Sequence, residues 1–400
     1  PLGSVMEPRL AGKENRLNPS RALVLSFLVG AALASAPAVP LSPPAQGERE
    51  QSSPRTPEAL YRTACASCHG ADGRGVARGQ VGFEDPLPDF TDCSFATREP
   101  NADWLAIAHS GGPARGFGEM MPAFGDALSL EDLESTLDYL RTFCTSDAWP
   151  RGELNLPRPF VTEKAYPEDE AVLSTATALE GEGSSLYELV YERRFGARNQ
   201  LELVVPFGFL ERPASDAGTA GEWTGGHLGD VAVAAKRALF HDVEKGTILS
   251  AAGELKLPTG DEDEGLGTGT AAFEPFVSFG QILPAGGFIH LQGGVEVPFD
   301  RDVAEAEAFW RFAPGISFVQ GGFGRTWSPM VELLGVRALE SGAETEWDLV
   351  PQIQVTLNQR QHVMLNVGVR VPLNGEGSRH EELLIYLLWD FFDGGFFEGW

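Results

Sequence analysis

The feature that most constrains the fold is a set of long segments in which apolar and polar residues alternate. The clearest places Val363, Leu365, Val367, Val369 and Val371 on one face. An alternation with period two predicts a β-strand with one apolar face. Twelve such segments of nine or more residues occur in the C-terminal part of the chain. They are 172–180, 184–195, 199–210, 228–240, 246–258, 270–283, 286–299, 306–320, 323–339, 343–358, 360–372 and 380–391.

The length of these segments distinguishes strands that cross a membrane from strands of a soluble protein. Strands of soluble proteins average roughly 5–6 residues, whereas strands that cross a membrane need about 9–11. Length, even number and alternation together predict a transmembrane antiparallel β-barrel of about 12 strands over residues 171–400. A soluble β-sandwich or a lipocalin-like barrel is the alternative, because its strands also have one buried and one wet face.

The connections between the segments support the membrane barrel. If the first strand starts in the periplasm, every connection on that side is short, as outer-membrane barrels require. The chain then ends in the periplasm, where Phe396, Phe397 and Trp400 suit an interfacial aromatic girdle. The short connections are 195–199, 240–246, 283–287, 320–323 and 358–360, and the long polar ones include Glu211–His227, Pro258–Gly269 and Leu373–Arg379.

A second signal lies far upstream, in Cys65-Ala66-Ser67-Cys68-His69. This CxxCH pattern is the haem attachment motif, in which Cys65 and Cys68 form thioethers and His69 lies under the iron. The alternatives are a disulfide loop or half of a zinc site. A zinc site needs two more ligands at paired spacing, and none follow.

Cys93 and Cys144 are the remaining two of four cysteines. In an exported domain a leftover even pair suggests a disulfide, which would tie the middle loop to the end of the last helix. Two free buried thiols are the alternative.

Residues Thr56 to Trp149 resemble class I monohaem cytochromes c, on the early CASCH, the later Met121-Pro122-Ala123-Phe124 and a closing helix. The resemblance implies one covalent haem c with His69 as proximal and Met121 as distal ligand. Met120 and His109 are alternative ligands. Two axial ligands leave no open iron position, so an electron-transfer protein is expected rather than a classical enzyme.

The rest of the chain divides by composition. Residues 1–38 combine an expression scar with a secretory signal peptide, for which an uncleaved anchor is the alternative. Residues 39–55 are expected to form a disordered tether. The cytochrome c domain spans 56–149, and 150–170 is a Pro-rich extended linker that lies against one domain or the other. The barrel follows, at 171–400.

Charge limits the partners and suggests lumenal residues. The net charge of −27 argues against nucleic acid. The acidic run 261–264 could collect a hard cation, although a solvated acidic loop is the simpler interpretation. Cations within strands are expected to face a polar lumen. They are Lys236, Arg237, Arg311, Arg325 and Arg370.

Two further resemblances concern the barrel. Gly229-Asp230-Val231 and Glu254 to Asp261, with Gly267-Thr268-Gly269, are similar to outer-membrane barrels of the phenol-degradation MetA-pathway, transporter-like family. The layout of haem domain and barrel resembles that of fused cytochrome–porins. These resemblances imply an outer-membrane barrel. A cytochrome domain of about 95 residues has a radius of gyration near 12 Å and is too large to enter a barrel of about 12 strands, so it is expected in the periplasm, docked at the barrel mouth.

Three functions fit this layout. The first is electron transfer between an extracellular or lumenal redox species and periplasmic electron carriers. The second is a small-solute porin with the cytochrome as plug or redox sensor. The third is a periplasmic redox-enzyme subunit whose β-domain is soluble.

Overall fold

The computed structural model describes residues 56–82, 87–181, 183–212, 221–223, 225–375 and 379–391. The signal peptide, the tether and the three C-terminal aromatic residues of the sequence analysis lie outside these ranges. A small helical domain is followed by a closed antiparallel β-barrel of 12 strands, so the predicted fold class is confirmed.

Five helices form the N-terminal domain, with Thr56 capping the first and a Ser129–Asp132 capping box starting the last. None of the helices in the described ranges is both long and apolar enough to cross a membrane. Short 3₁₀ turns lie at Arg78–Gln80 and Gly112–Arg115. The α-helices are α1 (Pro57–Ala64), α2 (Ala66–His69), α3 (Cys93–Ala96), α4 (Asn101–Ser110) and α5 (Leu130–Arg141).

The core of the helical domain is aromatic. Tyr61, Phe90 and Trp104 pack with leucines of α5. The Arg141 guanidinium lies 3.6 Å from the centre of the Trp104 ring, and burial lowers the pKa of Arg141 to about 10. A disulfide joins Cys93 to Cys144, with an S–S distance of 2.08 Å.

Each barrel strand pairs with its neighbours in sequence, and β1 pairs with β12 to close the ring. Shorter strands at Glu222–Trp223, His227–Leu228 and Phe318–Val319 extend the sheet locally. The barrel strands are β1 (Glu170–Ala178), β2 (Ser184–Phe195), β3 (Asn199–Arg212), β4 (Ala232–Asp242), β5 (Thr247–Lys256), β6 (Ala272–Ile282), β7 (Gly287–Pro298), β8 (Glu307–Ile316), β9 (Thr326–Ala338), β10 (Glu346–Thr356), β11 (Val363–Pro372) and β12 (Glu382–Asp390).

The outer face of the barrel is apolar and exposed. Leu201, Leu173 and Val277, for example, are 54%, 47% and 47% exposed. Such a continuous apolar surface is what a membrane barrel presents to lipid.

The lumenal face, by contrast, is polar and buried. Lys236 and Arg311 face the lumen, as predicted for strand cations, and Arg370 pairs there with Glu382. The prediction was wrong for Arg237 and Arg325. Arg237 alternates with Lys236 and therefore lies on the outer face, and Arg325 precedes β9 in a turn.

The linker between the two domains is folded into the lumen. After a 3₁₀ turn at Gly152–Leu154, nearly every residue from Leu156 to Asp169 is buried. Residues 155–169 enter from the short-turn end, reach β9 near its middle at Glu332, and return to start β1 at Glu170. We call residues 155–169 the lumenal loop.

Candidate haem site and lumenal loop

The CxxCH motif lies at the junction of two helices. Cys65 ends α1, and α2 carries Cys68 and His69 before Gly70, whose φ of 75° requires a glycine-like conformation. The Tyr61 hydroxyl donates to the Gly70 carbonyl at 2.7 Å, which fastens the end of the motif to the domain core. Burial raises the pKa of the Cys65 thiol to about 11.

His69 has the properties of a metal ligand. Burial lowers the pKa of its imidazole, so that the neutral, ligating form prevails at neutral pH. Its Nδ1 atom is buried and has no hydrogen-bond partner, and its ring packs 5.2 Å from the ring of Phe90. Cys65 and Cys68 are both free thiols and partly buried. Two free thiols beside a partly buried, neutral imidazole fit the attachment chemistry of a c-type haem.

The predicted distal ligands differ in environment. Met120 is 52% exposed, whereas Met121 is partly buried and its carbonyl accepts from the Gly112 amide at 3.0 Å. His109 lies at the edge of the barrel, with its ring 5.1 Å from that of Phe323 and its Nδ1 2.9 Å from the Ser110 hydroxyl.

The helical domain lies on the short-turn mouth of the barrel. The Arg98 guanidinium forms a salt bridge with Asp169 at 2.8 Å, and Nε2 of His362 lies 2.8 Å from a carboxylate oxygen of Glu99. Arg115 donates to the Phe323 carbonyl at 2.8 Å.

Two further contacts reinforce this docking. Arg198 donates to the Ala148 carbonyl at 2.9 Å, and the Arg360 guanidinium lies 4.5 Å from the ring centre of Phe117. The contacts involve several different turns of the barrel, so they fix the position of the domain over the mouth.

The barrel wall provides partners for the backbone of the lumenal loop. The Glu332 carboxylate accepts from the amides of Phe160, Val161 and Thr162 at 2.7–3.2 Å. Other wall side chains bond the loop in the same way, which satisfies polar groups that burial would otherwise leave unpaired. These bonds join Gln292 to Glu163 N, Gln200 to Glu168 N, Lys236 to Lys164 O, Arg311 to Val161 O and Tyr386 to Arg158 O.

Loop side chains also carry charge into the lumen. Arg158 contacts Glu170 at 2.5 Å and Glu192 at 2.6 Å, and Lys164 contacts Glu170 at 3.2 Å. In the predicted acidic loop, Asp261 pairs with His227 at 2.9 Å and Glu264 pairs with Arg212. The sequence analysis did not identify the lumenal carboxylates. The only signal for them in the sequence is that acidic residues recur at strand positions that face inward.

Comparison with known families assigns the helical domain. The model of the cytochrome C oxidase, cbb3-type, subunit III family matches residues 52–140. This segment is therefore a cytochrome c-type domain, which implies haem, and the chain is a cytochrome c domain fused to a β-barrel. No curated protein matches the chain.

The solved structures to which the barrel is similar include an outer membrane channel and two porins. An outer membrane channel from Pseudomonas putida F1 is 15% identical, with a TM-score of 0.44, over 59% of this chain and 100% of its own. The NanC porin is 8% identical, with a TM-score of 0.39, over 55% of this chain and 98% of its own. The KdgM porin is 8% identical, with a TM-score of 0.35, over 56% of this chain and 99% of its own.

Proposed function

We propose that this protein is an outer-membrane cytochrome–porin that transfers electrons through one covalent haem c. The observation that carries the proposal is the CxxCH motif, with a partly buried His69 whose pKa is lowered by burial, in a domain docked on a closed barrel. Cys65 and Cys68 would attach the haem, and His69 would ligate its iron. The haem supplies one-electron redox chemistry.

Met121 is the distal ligand in this proposal. Its partial burial favours it over the exposed Met120, and the contact of His109 with Phe323 gives that histidine a role at the barrel edge. A thioether ligand stabilises the reduced iron and raises its potential. The Cys93–Cys144 disulfide supports an oxidising compartment.

The barrel would span the outer membrane with its short turns in the periplasm. The apolar outer face supports membrane insertion over the soluble β-domain of a periplasmic enzyme subunit. In that orientation the cytochrome domain, which contacts the short turns, would lie in the periplasm, within reach of periplasmic electron carriers. The similarity to the MetA-pathway, transporter-like barrels remains a prediction.

The lumenal loop limits how an external redox species could reach the haem. One haem at the mouth does not cover a roughly 25 Å apolar band, and the loop occupies the lower half of the lumen. A small extracellular donor or acceptor would therefore have to pass the loop or displace it.

Sealed liposomes test this function. The full chain is inserted with the haem domain inside, as checked by protease protection, and an impermeant reductant is added outside. Reduction of the enclosed haem while the vesicles are still sealed, before any detergent is added, supports a route for electrons through the barrel. Haem that is reduced only after detergent is added contradicts that route.

A solute pore is the second candidate, and the lumenal loop is the observation that favours it. Barrels can enclose a channel, and a loop that blocks the lumen would gate such a channel if it withdrew. Liposome swelling in small sugars, measured with the haem oxidised and then reduced, tests whether the redox state opens the pore. Equal swelling rates in the two states would contradict redox gating.

A further inference from the structure

A row of carboxylates crosses the barrel wall from one end to the other. The strand register places each residue of the row directly opposite the next, beginning with Asp390 on β12 opposite Glu170 on β1. Directly opposed residues share one face of a sheet, so the row points into the lumen. We call it the acidic row. Its members are Asp390, Glu170, Glu192, Glu202, Ala234, Glu254, Glu274, Glu296 and Glu307, with Ala234 the one non-acidic position.

The acidic row runs along the height of the barrel. Barrel strands are tilted by about 35–45°, so a row that follows the strand pairing climbs as it goes round. Asp390 ends β12 at the short-turn mouth, beside the haem domain. Glu307 begins β8 at the opposite, long-loop end. The carboxylates therefore form a path between the two mouths that is interrupted only at Ala234.

Few positive charges oppose this row. Like charges that face each other across strands are destabilising, and buried carboxylates need a partner. Among the described residues, three cations form ion pairs with the row, and two of them, Arg158 and Lys164, belong to the lumenal loop. Lys256 of the wall is the third, 3.2 Å from Glu274 and also in contact with Glu296.

Two groups of carboxylates converge closely enough to hold a metal ion. Glu168, Glu170 and Asp390 bring one oxygen each within 4.8 Å of one another, as do Glu163, Glu192 and Glu202. Two oxygens that each lie about 2.4 Å from one ion are at most about 4.8 Å apart, so these separations suit a cation held between them.

Buried oxygens without partners point to a missing cation. Asp390 is 2% exposed, its Oδ1 atom has no hydrogen-bond partner, and one of its carboxylate oxygens lies within 4.8 Å of oxygens of Glu168 and Glu170. Glu192 is fully buried and its Oε2 atom has none either. The Lys164 ammonium occupies the position between Glu168 and Glu170. The single positive charge of Lys164 is shared by two carboxylates of this group, and the third, Asp390, forms no ion pair within the described residues.

We propose that Glu168, Glu170 and Asp390 form a binding site for a divalent metal cation, and that the acidic row leads such cations to it. Oxygen-only ligands select hard ions such as Ca²⁺ and Mn²⁺. The ammonium of Lys164 is a tethered competitor of the metal, because both are attracted by the same carboxylates. The site does not depend on the proposed electron transfer.

Binding of Mn²⁺ to the detergent-solubilised full chain tests the site. Electron paramagnetic resonance counts free Mn²⁺, and high salt suppresses diffuse attraction to the acidic chain. We expect saturable binding in the wild type, at least about tenfold weaker in Asp390→Asn and about tenfold tighter in Lys164→Met, since each change alters one nearby charge. Asp348→Asn is the matched control, because Asp348 is a lumenal carboxylate outside the row that pairs with Arg379 at 2.6 Å.

Two results would overturn the proposal. One is the absence of saturable Mn²⁺ binding in both the wild type and Lys164→Met. The other is an equal loss of affinity in Asp348→Asn and Asp390→Asn, which would indicate diffuse attraction to the lumen. Heat-dependent mobility in detergent gels reports whether each barrel is folded. If Asp390→Asn does not fold, the comparison of Lys164→Met with the wild type still decides the question.

Discussion

Removal of the Glu332 carboxylate should release the lumenal loop. Glu332 is fully buried on β9 and accepts from the amides of Phe160, Val161 and Thr162, and from the Thr162 hydroxyl at 2.7 Å. A hydrogen bond to a charged group contributes about 1.5–3 kcal/mol. Four such bonds at the lower value amount to about 6 kcal/mol in favour of the inserted loop.

This loss is large enough to change the population of the open barrel. Contributions from neighbouring bonds are not additive, so we take half of the sum, about 3 kcal/mol. Since 1.4 kcal/mol is a factor of ten in an equilibrium constant, Glu332→Ala should raise the loop-free fraction by about a hundredfold. A barrel without the inserted loop would be an open channel, so the fraction of open channels should rise by the same factor.

Single-channel recording in planar bilayers measures this fraction. We expect rare, brief openings in the wild type and frequent or lasting openings in Glu332→Ala. Glu346→Ala is the matched control, because Glu346 is on the neighbouring strand with a side chain 62% exposed. A folded Glu332→Ala barrel that conducts no more than the wild type would refute the view that this carboxylate retains the loop.

Three further predictions concern the helical domain. Replacing Cys93 and Cys144 by serine removes a link across 51 residues and should lower the free energy of unfolding by about 4 kcal/mol, measured by guanidinium unfolding of the full chain under haem absorption. Burial raises the pKa of Asp103 from 3.8 to about 6. The folded domain therefore takes up this proton before the unfolded chain does, and its stability should gain at most about 3 kcal/mol from Asp103 as pH falls from about 6 to about 4. Asp103→Asn should lose this gain in thermal melts, and equal pH profiles would contradict it. Met121→Leu should abolish the methionine–iron charge-transfer band in absorption spectra while Met120→Leu keeps it, and the reverse result would make Met120 the ligand.

The elements that could be predicted from sequence have strong local signals. Alternation over nine or more residues located all twelve barrel strands, within a few residues at most ends, because the lumenal and outer faces differ at every step. The CxxCH motif is short and its chemistry needs adjacent residues, so Cys65, Cys68 and His69 could be named as candidate ligands without the fold.

The lumenal loop could not be predicted in the same way. Its proline-rich, polar composition is also typical of an exposed linker, and only the barrel wall makes a buried position favourable for it. Arg237 was misplaced because a one-residue difference along a strand exchanges the inside for the outside. The acidic row depends on the register between strands far apart in sequence, which alternation within one strand does not contain.

The lumenal loop also determines how far the haem domain can travel. The loop enters and leaves by the same mouth, so it can withdraw without threading through the barrel. Residues 151–169, once pulled out and extended, span at most about 65 Å. A domain now held against the mouth by Arg98 and Glu99 would then search a hemisphere of that radius. Withdrawal of the loop thus converts a fixed redox centre into a tethered one. The length of the released segment then determines which carriers the haem domain can reach.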